Sequence, residues 1–306
     1  MRRRRPFPNA DGEVFAAVIR AYMTTSPKWT LPPPKGYSDA TKDSWRRQLN
    51  LAARPEVLGS VPISELRPSL VQAFLDALAD RPGKAEKALS ALKQLEKWAC
   101  VRDRIPHPFT TGCEVEGSDG GHIPWTDAQV ALAEQHATSD LARVVTLAVN
   151  TGQRGSDLVK MRWSEIETIT GRPGINVTQR KTGKKLWVPF TQELMVAAER
   201  WERRPGFILL NKDKPWTRNA LSTAWGRHRD DNEKLKPLSG LVLHGLRATA
   251  CVRLNHAGAN ELQISDMIGM SLEMVKRYLR FSVQTENALA AVGHLDAKLL
   301  AFKSLK

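Results

Sequence analysis

Residues 175–190 read Ile175-Asn176-Val177-Thr178-Gln179-Arg180-Lys181-Thr182-Gly183-Lys184-Lys185-Leu186-Trp187-Val188-Pro189-Phe190. Ile175 and Val177, then Leu186, Val188 and Phe190, recur at every second position, the period of a strand with one buried face. Thr182-Gly183 between the two runs marks a turn, so the stretch predicts a β-hairpin with lysines at its tip. Most other periodic segments have helical spacing. The expected fold is therefore mainly α, with a small antiparallel β-sheet in the C-terminal half.

Working outward from the hairpin, the 306 residues suit two domains better than one at ~100–200 residues each. Between residues 84 and 101, Ala88, Leu89, Leu92, Leu95 and Trp98 fall on one helical face. A second helix is expected after Pro68, a residue favoured at a first helical turn, with Leu70, Val71, Phe74, Leu75 and Leu78. Residues 29–37, holding Pro32, Pro33, Pro34 and Gly36, read as a loop. Residues 1–104 thus form a small helical domain. Residues 105–123, with Pro106, Pro108, Gly112, Gly117, Gly120 and Gly121, show little periodicity and are expected to be a flexible linker. Thr126-Asp127-Ala128-Gln129 is a capping-box pattern ahead of Val130, Leu132 and Ala133, and it opens a second domain over 124–306. An amphipathic tail helix is expected at about 285–302, with Leu289, Val292, Leu295, Leu299 and Leu300.

Lysine and arginine outnumber acidic residues 46 to 32, for a formal charge of +14. Such an excess attracts polyanions, and DNA is the densest common one, although RNA-binding and membrane-surface proteins share the trait. The three cysteines, Cys100, Cys113 and Cys251, form neither a disulfide framework nor a metal-binding spacing, which suits a reducing cytoplasm. No apolar run approaches the ~18 residues of a membrane span. Arg2–Arg5 is followed by prolines and an aspartate, so it reads as a basic tail or a phosphate-contacting arm rather than a secretory signal.

Three local patterns in the second domain carry chemistry. In Thr151-Gly152-Gln153-Arg154-Gly155-Ser156-Asp157-Leu158, an apolar helix ends at a glycine and an arginine emerges, with Asp157 three residues on to orient it. Alone, this serves equally as a capping loop. In His244-Gly245-Leu246-Arg247, an imidazole and a guanidinium share a helical face, where they could grip a phosphate or merely start a helix. In the run from Ile268 to Phe281, Leu272, Val275 and Leu279 form an apolar stripe, and Tyr278 is expected off it, among Lys276, Arg277 and Arg280.

Arg154, the Lys181 hairpin, His244-x-x-Arg247 and a late Tyr278, in that order, resemble the tyrosine recombinase or phage integrase family. The resemblance covers about residues 124–281, and the helical first domain is similar to the family's core-binding domain. It implies a C-shaped two-domain clamp around double-stranded DNA. Arg154 and Arg247 would clamp the scissile phosphate, with Asp157 holding the first arginine. Lys181 would protonate the leaving 5′-oxygen, His244 would assist proton transfer, and Tyr278 would attack to leave a 3′-phosphotyrosyl bond. The resemblance further implies a homo-tetramer on two DNA sites, with the tail helix docking on a neighbouring protomer. An accessory directionality factor is a candidate partner, and the expected location is the cytoplasm, on the nucleoid of a bacterial or phage system.

Elementary chemistry fits this division of labour. A phenol with a pKa near ~10 needs cations to stabilise its phenolate, and attack on a phosphodiester builds charge that two arginines can meet. The sequence holds no phosphate-cradling glycine loop, no carboxylate pair for Mg²⁺ and no His/Cys ligand spacing, so neither metal nor other cofactor is expected. One position departs from the family: Met270 stands where His or Trp is usual, and methionine donates no hydrogen bond. The gap from there to Tyr278 is also one residue short. Two rival readings follow, a type IB topoisomerase-like enzyme and a catalytically weakened DNA-binding or architectural protein. With about ten residues before the first expected helix, no separate arm-binding domain is expected within these 306 residues.

Overall fold

The computed structural model describes residues 12–116, 122–280, 288–289, 291–296 and 298. The chain divides into two compact units, Met1–Gly120 and Gly121–Lys306.

The first unit is helical. Its elements are α1 (Phe15–Thr25), the short α2 (Pro27–Thr30), α3 (Asp39–Ala52), α4 (Pro68–Asp76) and α5 (Pro82–Cys100). Proline occupies the first turn of α4 and α5, where its missing N–H costs nothing, and the Ser38 hydroxyl caps α3 by accepting from the Thr41 N–H. One face of α5, with Ala88, Leu92, Leu95 and Ala99, is buried against Phe15, Ile19 and Leu49. Residues 29–37 begin with the last turn of α2 and only then become loop.

Residues 105–116, expected to belong to a flexible linker, are instead part of the helical unit. Ile105, Phe109 and Cys113 are buried in the core of the first unit, and the Glu96 carboxylate accepts hydrogen bonds from the Phe109 and Thr110 N–H groups. The proline- and glycine-rich composition masks three apolar side chains spaced four apart. They carry the segment through residue 116 into the helical unit, and the boundary falls at Gly120/Gly121 rather than at 104/105.

The second unit opens with α6 (Asp127–His136), whose Thr126/Gln129 capping box is formed. There follow α7 (Ser139–Thr151), α8 (Gly155–Leu158), strands β1 (Ile166–Ile169), β2 (Arg172–Thr178) and β3 (Lys185–Pro189), and α9 (Gln192–Glu199). A two-residue ribbon, β4 (Leu210–Asn211) with β5 (Lys214–Pro215), precedes α10 (Arg218–Asp231), α11 (Gly245–His256), α12 (Glu261–Ile268) and α13 (Leu272–Leu279). The sheet runs β1-β2-β3, antiparallel, in the register Ile175↔Val188 and Val177↔Leu186. Those apolar partners cover the same face, so the hairpin stands as the alternation predicts.

The core of this unit lies around α7, buried from Val144 to Thr151, which packs against the buried start of α11. Trp163 is half-buried against that core under the Arg203 guanidinium, and Trp187 is half-buried over Gly174. Leu289, Val292 and Leu295 of the expected tail helix are exposed. Its residues 285–287, 290, 297 and 299–302, and Arg2–Arg5, lie outside the described residues. Among the described residues no helix is long and apolar enough to cross a membrane.

Candidate active site

The site is built where α7 ends. Gly152 closes that helix in the left-handed region (φ 62°), and a Cβ there would lie 2.9 Å from the Ile268 side chain. Backbone and space therefore both require glycine. The chain turns, and Arg154, with extended backbone, becomes the N-cap of α8. Its Nη1 donates to Gln179 Oε1 at 3.1 Å.

Asp157 does not hold it. Asp157 Oδ1 accepts from the Arg180 backbone N–H at 3.0 Å instead, tying α8 to the end of β2. Residues 154 and 157 are N-cap and N3 of α8, but the same carboxylate oxygen also accepts from the Ser156 hydroxyl at 3.3 Å, and among the described residues the Arg154 side chain bonds Gln179 instead. Asp157 thus supports the strand end that leads to Lys181.

Arg247 sits in the first turn of α11 and is only 2% exposed. Its Nη1 donates to the Gly152 carbonyl and, at 3.4 Å, to the Ile268 carbonyl. Its Nη2 is buried without a partner among the described residues. Burial, then the nearby Arg154 charge, pulls its pKa down to about 10. Burial is the larger cause and the second guanidinium the smaller, and the shift leaves Arg247 charged at neutral pH.

His244 stands at the N-cap of the same helix. Burial, followed by the charges of His122, Arg247, Arg218 and Arg154, pushes its pKa down to about 4. Its imidazole is therefore neutral near pH 7, with one nitrogen free to accept. The His122 ring meets it edge to face, with centroids 4.7 Å apart.

Tyr278 departs from expectation in its setting. It is buried on the inner face of α13 with Val275, while Leu272 is the exposed residue. Burial raises its pKa, and the charges of Arg247 and Arg154 work in the opposite direction. Tyr22 and Tyr37, the other two tyrosines, lie in the first unit and hydrogen-bond to one another.

Met270 is buried in the same apolar cluster as Tyr278, and its Sδ accepts a weak bond from Cys251 Sγ at 3.7 Å. Lys181 is exposed in the turn after β2, beside Thr182, Lys184 and Lys185. Arg154, His244, Arg247 and Tyr278 are thus brought within electrostatic reach of one another, with Lys181 on the adjoining turn.

The sequence reading missed Gln153, Gln179, His122 and Arg218. Gln179 carried a signal, since it shares the alternation of Ile175 and Val177, and a polar residue on a buried face demands partners. Gln153 is buried one residue before Arg154. His122 and Arg218 come from distant segments with no local pattern, and only the fold assembles them. Among the described residues, no group of three or more His, Cys, Asp or Glu is placed to hold a metal ion.

Comparison with known proteins bears on this geometry. The phage integrase family model matches residues 128–285. No curated protein matches the chain. Among solved structures, a lambda integrase dimer bound to a COC′ core site superposes with TM-score 0.73 at 20% identity, over 89% of this chain and 97% of that one. A lambda integrase tetramer bound to a Holliday junction gives TM-score 0.72 at 19% identity, over 88% of this chain and 78% of that one. The integrase of the transposon Tn1549, in complex with transposon right end DNA, gives 0.69 at 15% identity, over 93% of this chain and 100% of that one. At such identities these likenesses show a common fold.

Proposed function

This chain belongs to the phage integrase family of tyrosine recombinases, and on that premise we propose that it is a site-specific DNA recombinase that cuts and rejoins a phosphodiester through Tyr278. The observation that carries the reading is the meeting of Arg154 and Arg247, neither of which is paired with a carboxylate among the described residues. Two neighbouring guanidiniums repel each other, and an anion between them relieves that repulsion. A phosphate oxygen would also satisfy the buried Arg247 Nη2, whose solitude is otherwise costly.

With a phosphodiester seated there, Tyr278 Oη attacks phosphorus and the P–O5′ bond breaks. Lys181 gives its proton to the departing 5′-oxygen, and the phenol proton passes toward His244. The neutral His244 can accept, and the phosphate charge beside it raises its basicity. The 3′-phosphotyrosyl bond keeps the ester's energy, so a 5′-hydroxyl from a second strand rejoins the backbone by the reverse steps, with neither ATP nor metal. Met270 supplies no donor, so the two arginines carry the phosphate alone and the chemistry is slower than a third donor would allow.

The substrate we propose is double-stranded DNA, in keeping with the +14 charge and with the DNA complexes of the lambda and Tn1549 integrases. Four copies on two sites form the assembly, and the apolar row Leu289, Val292 and Leu295, exposed within one chain, is available to a neighbour. The test begins by selecting a bound duplex from a random pool. Incubation of two copies of that site should yield recombined joint molecules. Relaxation of supercoils without joint molecules would favour the topoisomerase-like reading, and binding without any strand cleavage would favour an architectural protein.

A further inference from the structure

Gln179 has no exposed surface and all four hydrogen-bonding positions of its side-chain amide are used. Nε2 donates to Gln153 Oε1 at 2.8 Å and to the Ile268 carbonyl at 2.9 Å. Oε1 accepts from Arg154 Nη1 and from the Thr182 hydroxyl, each at 3.1 Å. A flipped amide would set its NH2 against the donor Arg154 and its oxygen against the Ile268 carbonyl, so only one orientation is satisfied. The backbone of the same residue closes the turn that carries Lys181: the Gln179 N–H donates to the Lys184 carbonyl, and the Gly183 N–H donates to the Gln179 carbonyl.

The network also reaches the third motif. Gly269, in the left-handed region (φ 71°), leaves its missing Cβ position 2.7 Å from Gln179 Nε2, so the turn before Met270 presses directly on the amide. The Ile268 carbonyl that accepts from Gln179 also accepts from Gln153 Nε2 at 3.1 Å and from Arg247 Nη1 at 3.4 Å. One amide thereby joins the Arg154 turn, the lysine turn and the turn that leads to α13.

We propose that Gln179 is the positioning residue of Arg154: it fixes the guanidinium toward the scissile phosphate and locks it in register with the turn bearing Lys181. The proposal rests on the recombinase reading. Arg154 is half-buried and has no other side-chain hydrogen bond among the described residues, so without Gln179 its long side chain is free to rotate. A rigid donor is worth more than a mobile one, because no reorganisation is needed as charge develops.

The test compares cleavage of a nicked suicide duplex carrying the selected site, with either an ordinary scissile phosphodiester or a neutral methylphosphonate there. The neutral group removes the charge that Arg154 is positioned to meet. Gln179→Met, which keeps the volume and removes the bonds, should bind the duplex as wild type does and cleave the phosphodiester roughly 10²-fold more slowly. On the methylphosphonate most of that deficit should vanish, as it should for Arg154→Ala. Equal slowing on both substrates, or no slowing on the phosphodiester, overturns the role. If Gln179→Met does not fold, Thr182→Val loosens the same amide oxygen from an exposed position. It should slow the phosphodiester several-fold with the same relief on the neutral substrate, and equal rates or equal slowing on both overturn the proposal. Wild-type protein that cleaves neither substrate overturns the recombinase reading itself.

Discussion

The two units bury different things. Among the described residues of the first, the buried polar side chains are Ser26, Gln48 and Thr110, set around an apolar core. The described residues of the second unit include nine, and five of them, Thr151, Gln153, Asp157, Gln179 and Arg247, lie at or beside the α7 turn. Burying polar groups costs free energy unless each finds a partner, so their concentration in one place marks where geometry matters more than stability. The first unit is held by packing, and the second spends part of its core on holding cations still.

That contrast can be broken most forcefully in the first unit. Phe109 is fully buried against Phe15, with ring centroids 5.2 Å apart, so Phe109→Ala should cost about 3–5 kcal/mol in denaturant unfolding. A loss below about 1 kcal/mol would restore residues 105–116 to the status of a linker. Arg247→Ala tests the other side. It should lower the cleavage rate on the order of 10²–10³-fold while duplex binding changes far less, because the guanidinium acts on developing charge. Similar losses in binding and cleavage would make it an ordinary contact.

His244 offers a smaller effect with a definite sign. Its folded pKa of about 4 lies below the ordinary value of about 6.5, so the unfolded chain takes up a proton first as pH falls. The stability it contributes is present above pH ~6.5 and is lost as pH falls toward 4. Melting curves from pH 7 to pH 4.5 should show a steeper decline for wild type than for His244→Gln, and parallel declines would remove the buried imidazole from the account. Tyr278 shifts the other way, its phenol raised by burial, so cleavage should quicken as pH rises from 7 toward 9. The smallest change is expected from Met270→His, which restores a hydrogen-bond donor. The cleavage rate should rise no more than about tenfold, and an unchanged rate would remove position 270 from the chemistry.

The hairpin and the chemistry-bearing residue types were legible in the sequence because both are local. Period two marked Ile175, Val177, Leu186 and Val188 as one alternating set, which the structure pairs across the hairpin, and the glycine at 152 announced the turn before Arg154. The partner of Arg154 was not legible, because the helical spacing pointed to Asp157 while the amide that bonds it comes from just beyond the end of β2, 25 residues away. Burial of Tyr278 was missed for a related reason. The lysine and arginines around it on α13 look outward, and the face of that helix is decided by α11 and α12 rather than by its own composition. The segment through Cys113 misled in the opposite direction, its prolines and glycines hiding three core side chains.

The central claim is that Tyr278 becomes covalently joined to DNA. Wild-type protein mixed with a nicked suicide duplex of the selected site should form a denaturation-resistant adduct, with the DNA mapped by peptide mass to the segment containing Tyr278 and lost in Tyr278→Phe. An adduct that persists in Tyr278→Phe, or that maps to another residue, would contradict the account.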